Sequence, residues 1–226
     1  MKKTFYTELA YVLGILILAI GTAFMERASF GMSMIVAPAY ILHVKLSEYW
    51  TFFSFGMAEY CIQALLLIVI MIIGRKFKIA YLFSFITAVI YGFALDGAIL
   101  LIDLIAAVGI AFRIACFTFG MLLCAIGVSL LFRPYIPPEA YEVFVKEISA
   151  KCKLGISKFK TVYDLSSLAV SLILSFLLFG FGQFVGISWG TFVCAVLNGF
   201  LIGLMTKLFD KLFVFRDAFD FRKNFE

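Results

Sequence analysis

The chain has 226 residues, of which 64% are hydrophobic and only 15% are charged, and its mean hydropathy is +1.09. Soluble domains are about half apolar and about a quarter charged, so this composition excludes an ordinary water-soluble domain. The formal net charge of +5 comes with no nucleic-acid-binding motif, and the basic residues cluster in short segments between apolar runs. We therefore expect the lipid bilayer as a partner and no binding of nucleic acid.

Six apolar segments are long enough to cross a bilayer, which takes about 20 residues of α-helix. The first has no convincing cleavage site, so we interpret it as a retained helix rather than a signal peptide. The sequence predicts an all-α membrane protein with a single transmembrane domain over residues 1–226. The predicted spans are residues 8–27, 54–74, 79–102, 113–133, 162–182 and 186–208.

The basic residues fall mainly on one side of these six spans. The N-terminus, the loops 75–78 and 133–160 and the C-terminus hold 16 of the 19 Lys and Arg residues. The other side holds only Arg27, Lys45 and Arg113. Because cytoplasmic loops are enriched in Lys and Arg, we predict a multi-pass protein of the cell membrane with its N- and C-termini in the cytoplasm.

Two connections between the spans are long. Residues 28–53, on the outer side, are too apolar for a free loop, so they either lie in the membrane interface or dip back as a re-entrant segment. Residues 137–153, on the inner side, have an apolar stripe at i, i+3, i+4 and i+7 from Tyr141, which predicts an amphipathic helix. That helix lies either on the inner leaflet or against the protein's own cytoplasmic face.

The two halves of the chain resemble each other at an offset of 106 residues. Each half has one helix, a long connection and two further helices, so the second half enters the membrane from the opposite side. This pattern predicts two inverted three-helix repeats, about residues 1–105 and 106–226, which is the plan of many secondary transporters. A duplication without transport is the alternative. The matching positions include Gly14/Gly120, Gly21/Gly127, Arg27/Arg133, Lys45/Lys151 and Gly74/Gly180.

Short motifs across nearly the whole chain resemble the YczE/YyaS/YitT-like family of bacterial integral membrane proteins, most closely its YczE-type branch. The resemblance implies an integral membrane fold, but that family supplies no established reaction or substrate. The residues that resemble the family are 27–33 with Pro38, 54–56, Gln63, 92–96, 125–129, 138–139, 160–164 and 186–191.

Ionisable side chains inside the spans are the candidates for a binding site, because they are costly in a bilayer. Glu59 and Gln63 lie one turn apart on the second span, and Asp96 lies at a comparable depth on the third. Arg27 and Arg113 flank helices on the same side. These five residues predict an outer vestibule for a cation, a proton or a zwitterionic substrate. The alternative is a structural ion-pair network that holds the helices together.

A secondary candidate site lies on the inner side, where Asp164, Arg133 and Asn198 form a possible counterpart of the outer cluster. A salt bridge at the helix end is the alternative interpretation of Asp164.

The sequence favours transport over catalysis. It contains no HExxH, GxSxG or phosphate-binding loop, so we expect no enzymatic activity, no catalytic residues, no metal site and no cofactor. We predict a permease for a small solute. Two alternatives stay open: a non-transporting accessory or scaffold protein of a membrane-associated pathway, and the substrate-binding subunit of a vitamin-type importer.

Overall fold

The computed structural model describes residues 3–75, 77–106, 109–153, 156–180, 182 and 184–219. In this part of the chain there are eight helices and two short strands. The helices are α1 Thr7–Ala28, α2 Ala37–Ser47, α3 Phe55–Gly74, α4 Ile79–Asp103, α5 Ile110–Leu131, α6 Ala140–Lys151, α7 Ile156–Phe179 and α8 Trp189–Leu212, and the strands are β1 Lys3–Tyr6 and β2 Phe213–Arg216.

Six of the described helices, namely α1, α3, α4, α5, α7 and α8, are long and apolar enough to span a membrane. This confirms the predicted number of spans. The largest differences are at two helix boundaries: α7 begins at Ile156 instead of residue 162, and α8 ends at Leu212 instead of residue 208. Hydropathy marks only the part of a helix that suits lipid, whereas the backbone hydrogen bonds of the helix continue into its flanks.

Helices α1 and α5 cross in close antiparallel contact in the bundle. A Cβ atom added at Gly21 would lie 2.9 Å from the Gly120 carbonyl oxygen, and one added at Gly120 would lie 2.7 Å from the Gly21 carbonyl oxygen. Gly14 and Gly127 approach each other in the same way, at 3.2 and 2.9 Å. Small residues are needed here because a side chain would meet backbone atoms, which cannot swing aside.

The short helix α2 lies beside α7 and begins near the middle of that helix. The Ser167 hydroxyl of α7 donates to the Met34 carbonyl oxygen (2.7 Å), just before α2 starts. Near the other end of α2, the Lys45 ammonium lies 5.3 Å from the centroid of the Phe179 ring, where α7 ends. Helix α2 therefore runs from the middle of α7 to its end.

The short helix α6 has the corresponding position beside α3. The Ala140 backbone N–H donates to Gln63 Oε1 (3.0 Å) near the middle of α3, and the Lys151 ammonium donates to the Ile73 carbonyl at its end. The predicted inner helix is thus present, and it packs against α3, α4 and α7. Protein covers the apolar stripe of α6. Its first turn lies inside the bundle, because Ala140 is hydrogen-bonded to the middle of α3.

The two described ends of the chain meet on one side of the bundle. Strands β1 and β2 pair in parallel, with Lys3 opposite Phe213, and the Thr7 hydroxyl donates to Asp217 Oδ1 at 2.7 Å. An even number of spans brings both ends to the same side, so this pairing agrees with six.

Helices α7 and α8 stand apart from each other although they are consecutive. Helix α7 packs against α2 and α6, while α8 packs against α5, and no extended contact joins α7 to α8 in the described residues. Their outward faces are apolar and exposed, with Ile173 and Phe200 as examples, which suits contact with lipid. The bundle is therefore open between these two helices.

Candidate functional site

Glu59 and Gln63 lie on the buried face of α3, and both have 0% exposure. Ser54 starts this helix by accepting a hydrogen bond from the Met57 backbone N–H at 3.1 Å, as is common for an N-cap serine. Side chains four residues apart share a helix face, so this start places Glu59 and Gln63 together. As the sequence predicts, both residues face the interior of the bundle.

The Gln63 amide connects the middle of α3 to the start of α6. Its Nε2 donates to Glu139 Oε2 at 3.1 Å, and its Oε1 accepts from the Ala140 backbone N–H at 3.0 Å. The first N–H groups of a helix have no partner within that helix, and Gln63 satisfies one of them. A single side chain thus anchors the N-terminal end of α6 inside the bundle.

Tyr141, in the first turn of α6, adds a second connection. Its hydroxyl donates to Glu59 Oε2 at 3.0 Å. Hydrogen bonds therefore join α3 to the start of α6 in two pairs, Glu59 with Tyr141 and Gln63 with Glu139, and we call these four residues the central cluster. Every one of them has at most 5% exposure.

The central cluster leaves two acidic oxygens without partners. Glu59 Oε1 and Glu139 Oε1 are buried and accept no hydrogen bond from any described residue. Both residues line a cavity of about 70 Å³, which we call the central cavity. One water needs about 10–15 Å³, so there is room for a few waters or a small ligand. Buried polar atoms are normally hydrogen-bonded, so these oxygens mark where a donor can bind.

Further polar groups line the central cavity. The hydroxyls of Thr22 and Tyr91 lie 2.9 Å apart and hydrogen-bond to each other. Asn198 also lines the cavity, and its Oδ1 accepts no hydrogen bond from the described residues. The remaining wall is mostly apolar or contains sulfur, and includes Leu18, Met25, Met121, Cys124, Val128 and Cys194.

A second cavity, of about 240 Å³, adjoins the central cavity and lies beside α7 and α8. Ser33, Glu142 and Asn198 line both cavities, and Asp164 lines the second one. Two of the predicted inner candidates, Asp164 and Asn198, therefore lie around the same space. Of the described residues that line the two cavities, none is Lys, Arg or His.

A third cavity, of about 300 Å³, lies near the C-terminal end of α1 and is lined by Glu26, Tyr40 and the segment 184–188. Met32 lines both this cavity and the central cavity. Its backbone N–H donates to the Gly186 carbonyl oxygen at 2.8 Å, which holds the segment before α2 in place. The Met32 side chain therefore forms part of the barrier between the two spaces.

Asp96 does not join the central cluster and does not line the three cavities. Its carboxylate accepts hydrogen bonds from the Ser54 hydroxyl and from the Gly56 backbone N–H, the latter at 2.8 Å. A carboxylate is favourable at the N-terminus of a helix, so Asp96 of α4 stabilises the start of α3. The shared outer vestibule of Asp96 and Glu59 is replaced by two separate environments.

Arg27 and Arg113 also lie away from the three cavities. Arg27 donates to the Ile105 carbonyl oxygen (3.1 Å) and lies 3.7 Å from the Asp103 carboxylate. Arg113 donates to two carbonyl oxygens where α1 ends, at 2.7 and 2.9 Å. The contacts of these two arginines hold helix ends together, which agrees with the structural alternative rather than with a binding vestibule.

Arg133 lies at the opposite end of the bundle and not with Asp164 and Asn198. Its Nη2 donates to the Thr206 carbonyl oxygen at 2.8 Å and to Asp210 Oδ1 at 2.7 Å. These bonds join the end of α5 to α8, so the contacts of Arg133 are again structural.

The sequence analysis missed Glu139 and Tyr141 as site residues. Both lie in a connection that hydropathy assigns to the inner side, where a glutamate needs no explanation. One signal was available: the offset of 106 places Glu139 on Ser33, in the outer connection proposed to dip into the bundle. Applying the repeat to both connections would have placed Glu139 inside as well.

The fold and the central cluster define a multi-pass helical membrane protein whose bundle encloses a mostly apolar cavity with a few acidic and hydroxyl groups on its wall. The profile of a family of unknown function, DUF6198, matches residues 5–207, which is most of the chain. The chain therefore belongs to this family. No curated protein and no solved structure matches it.

Proposed function

We propose that this protein is a permease that moves a small solute through the centre of its helix bundle. The observation that supports this function most directly is the pair of unpartnered oxygens, Glu59 Oε1 and Glu139 Oε1, on the wall of the central cavity. An acidic side chain near the bilayer centre costs about 2.5–3.5 kcal/mol on insertion scales. A purely structural network would offset that cost by filling these two acceptors.

The proposal includes two inverted repeats related by a two-fold axis. At the offset of 106, Gly14 corresponds to Gly120 and Gly21 to Gly127, so the contact Gly14–Gly127 maps onto the contact Gly120–Gly21. A two-fold axis between α1 and α5 exchanges contacts in this way. Independent support comes from two ion pairs that join corresponding helix ends, Arg27–Asp103 and Arg133–Asp210.

The proposal also treats α2 and α6 as re-entrant helices, one from each side of the membrane. Both begin beside the middle of a spanning helix and end beside its end, as the contacts of Met34 and Ala140 indicate. Helix N-termini at the centre of a transporter are a common way to build a binding site there. They carry partial positive charge, which stabilises a nearby carboxyl group once that group is ionised.

For location, we propose the cell membrane with both termini in the cytoplasm, from the distribution of Lys and Arg. In that orientation the cavity beside Glu26 faces outward. The cavity beside Glu26, the central cavity and the cavity beside α7 and α8 then form a route that the Met32 side chain interrupts. We retain kinship with the YczE/YyaS/YitT-like proteins as part of this proposal.

Alternating access to the central cavity distinguishes a permease from the two alternatives without knowledge of the solute. Ser33 lines the central cavity and the cavity beside α7 and α8. We would place a single cysteine at this position, by Ser33→Cys, in a protein whose five native cysteines are replaced. A charged, membrane-impermeant thiol reagent is then applied to right-side-out and to inverted vesicles.

A permease exposes Ser33→Cys to the reagent from both sides, because each side of the membrane reaches the cavity during the cycle. Labelling from the outer side alone favours the importer subunit, and no labelling from either side favours the accessory protein. Exposed positions provide the controls: Glu48→Cys and the native Cys152 kept alone should each react from one side only.

A further inference from the structure

The central cavity presents buried oxygen atoms that lack a hydrogen-bond partner among the described residues. Glu59 Oε1, Glu139 Oε1 and Asn198 Oδ1 are buried, and none accepts a hydrogen bond from the described residues. The hydroxyls of Thr22 and Tyr91 are on the same wall and already bond to each other. A ligand that complements this wall therefore brings N–H or O–H groups.

The charge of the cavity wall points in the same direction. Two carboxyl groups, Glu59 and Glu139, line the cavity, and the described wall contains no basic side chain. The described residues also contain no group of three His, Cys, Asp or Glu suited to a metal ion. A small organic cation fits these conditions better than a metal ion or an anion does.

Charge balance sets how the cation binds. With an empty cavity, two buried carboxyl groups without a cation are most stable when both are protonated. A bound cation leaves the site neutral only if one carboxyl group releases its proton to solvent. Binding then replaces one O–H bond by one ion pair, and the charge of the buried site is unchanged.

We propose that the ligand of the central cavity is a small ammonium compound with N–H groups, bound between Glu59 and Glu139 in exchange for one proton. This proposal names the substrate class of the proposed permease and rests on that function for its biological role. Binding and proton release themselves require no transport, so the two ideas fail separately.

The size and composition of the cavity limit the ligand further. A volume of about 70 Å³ admits a compact head group, and the adjoining space of about 240 Å³ beside α7 and α8 can take the rest of a short ligand. The Tyr91 ring and the sulfur atoms of Met25 and Met121 suit the methyl or methylene groups next to an ammonium nitrogen.

Other titratable groups face the acidic pair from every helix packed around it. All of these groups are uncharged when protonated and negative when ionised, so none of them supplies the missing positive charge. They are Tyr11 of α1, Tyr91 of α4, Cys124 of α5, Tyr141 and Glu142 of α6, Tyr163 of α7 and Cys194 of α8.

The test measures proton release from the purified full-length protein in weakly buffered detergent containing a pH-sensitive dye. Methylammonium should release one proton for each molecule bound, with an affinity that weakens about tenfold per unit decrease in pH while the pair is protonated. Tetramethylammonium has the charge but no N–H group, and potassium has only the charge. Both should release at least tenfold less.

Glu59→Gln and Glu139→Gln should each abolish the methylammonium-dependent proton release, whereas the exposed control Glu48→Gln should leave it unchanged. If Glu59→Gln does not fold, Tyr141→Phe removes only the hydroxyl that donates to Glu59 and should weaken methylammonium binding at fixed pH. The proposal is overturned if methylammonium releases no proton from the folded wild type. Equal release by potassium or tetramethylammonium, or unchanged release in the Glu59 and Tyr141 variants, also overturns it.

Discussion

Replacing Gln63 by methionine should destabilise the protein strongly, although the two side chains are similar in size. The substitution removes the donor of Glu139 Oε2 and the acceptor of the Ala140 backbone N–H. A buried polar group left without a partner costs about 1–3 kcal/mol, so two such groups cost about 2–6 kcal/mol. Hydrogen bonds between membrane helices average only about 0.6 kcal/mol, so we expect a value near 2 kcal/mol.

The measurement is the free energy of unfolding in mixed detergent micelles, from a denaturant titration of wild type and variant. Ser166→Ala is the matched control, because the Ser166 hydroxyl is exposed and donates only within its own helix, to Val162. We expect a loss below about 0.5 kcal/mol for that control. A comparably small loss for Gln63→Met would refute the reasoning, since it would mean that Gln63 does not anchor α6.

Three further predictions concern topology, Asp96 and helix packing. A membrane-impermeant thiol reagent added to intact cells should label Glu48→Cys but not the native Cys152, and the reverse pattern would contradict cytoplasmic termini. Asp96→Asn should lower thermal stability yet leave methylammonium-dependent proton release intact, because Asp96 binds the Gly56 backbone rather than lining the cavity. Loss of proton release in a folded variant would mean that Asp96 belongs to the binding site. Gly21→Val should cost about 1–3 kcal/mol in the same unfolding titration, because its Cβ would lie 2.8 Å from a backbone nitrogen of α5; an unchanged value would show that α1 and α5 are not in close contact.

Hydropathy was sufficient for the six spanning helices because length and apolar composition are local properties of the sequence. Glu59 and Gln63 are both buried, as expected for a carboxyl group and an amide one turn apart in a spanning helix, but they do not share a vestibule with Asp96. Hydropathy could not predict the partner of Asp96. It gives the depth of a residue along a span but not the direction in which its side chain points around the helix axis. The contact between Asp96 and Gly56 depends on the close approach of α3 and α4 at Gly56 and Gly92.

The apolar stripe in 137–153 predicts helix α6 itself but not the position of its start inside the bundle. The distribution of Lys and Arg assigns this connection to one side of the membrane and gives no sign that it enters the bundle. Pro137 and Pro138 of the inner connection are fixed by α4, where the hydroxyls of Thr87 and Ser84 donate to their carbonyl oxygens at 3.1 and 2.7 Å. These hydrogen bonds join residues that are far apart in the sequence, so the residue pattern within 137–153 does not predict them.

The same polar contacts indicate which side of the bundle can move. The start of α6 is held by Gln63, Tyr141 and the two hydroxyls of α4. Helix α7 touches α6 through the rings of Tyr163 and Phe144, 5.3 Å apart, and packed helices can slide past each other over a small distance. With no extended contact between α7 and α8 among the described residues, a movement of α7 leaves the contact between α5 and α8 intact. A permease built on this fold would therefore open beside α7, next to the cavity that already lies there.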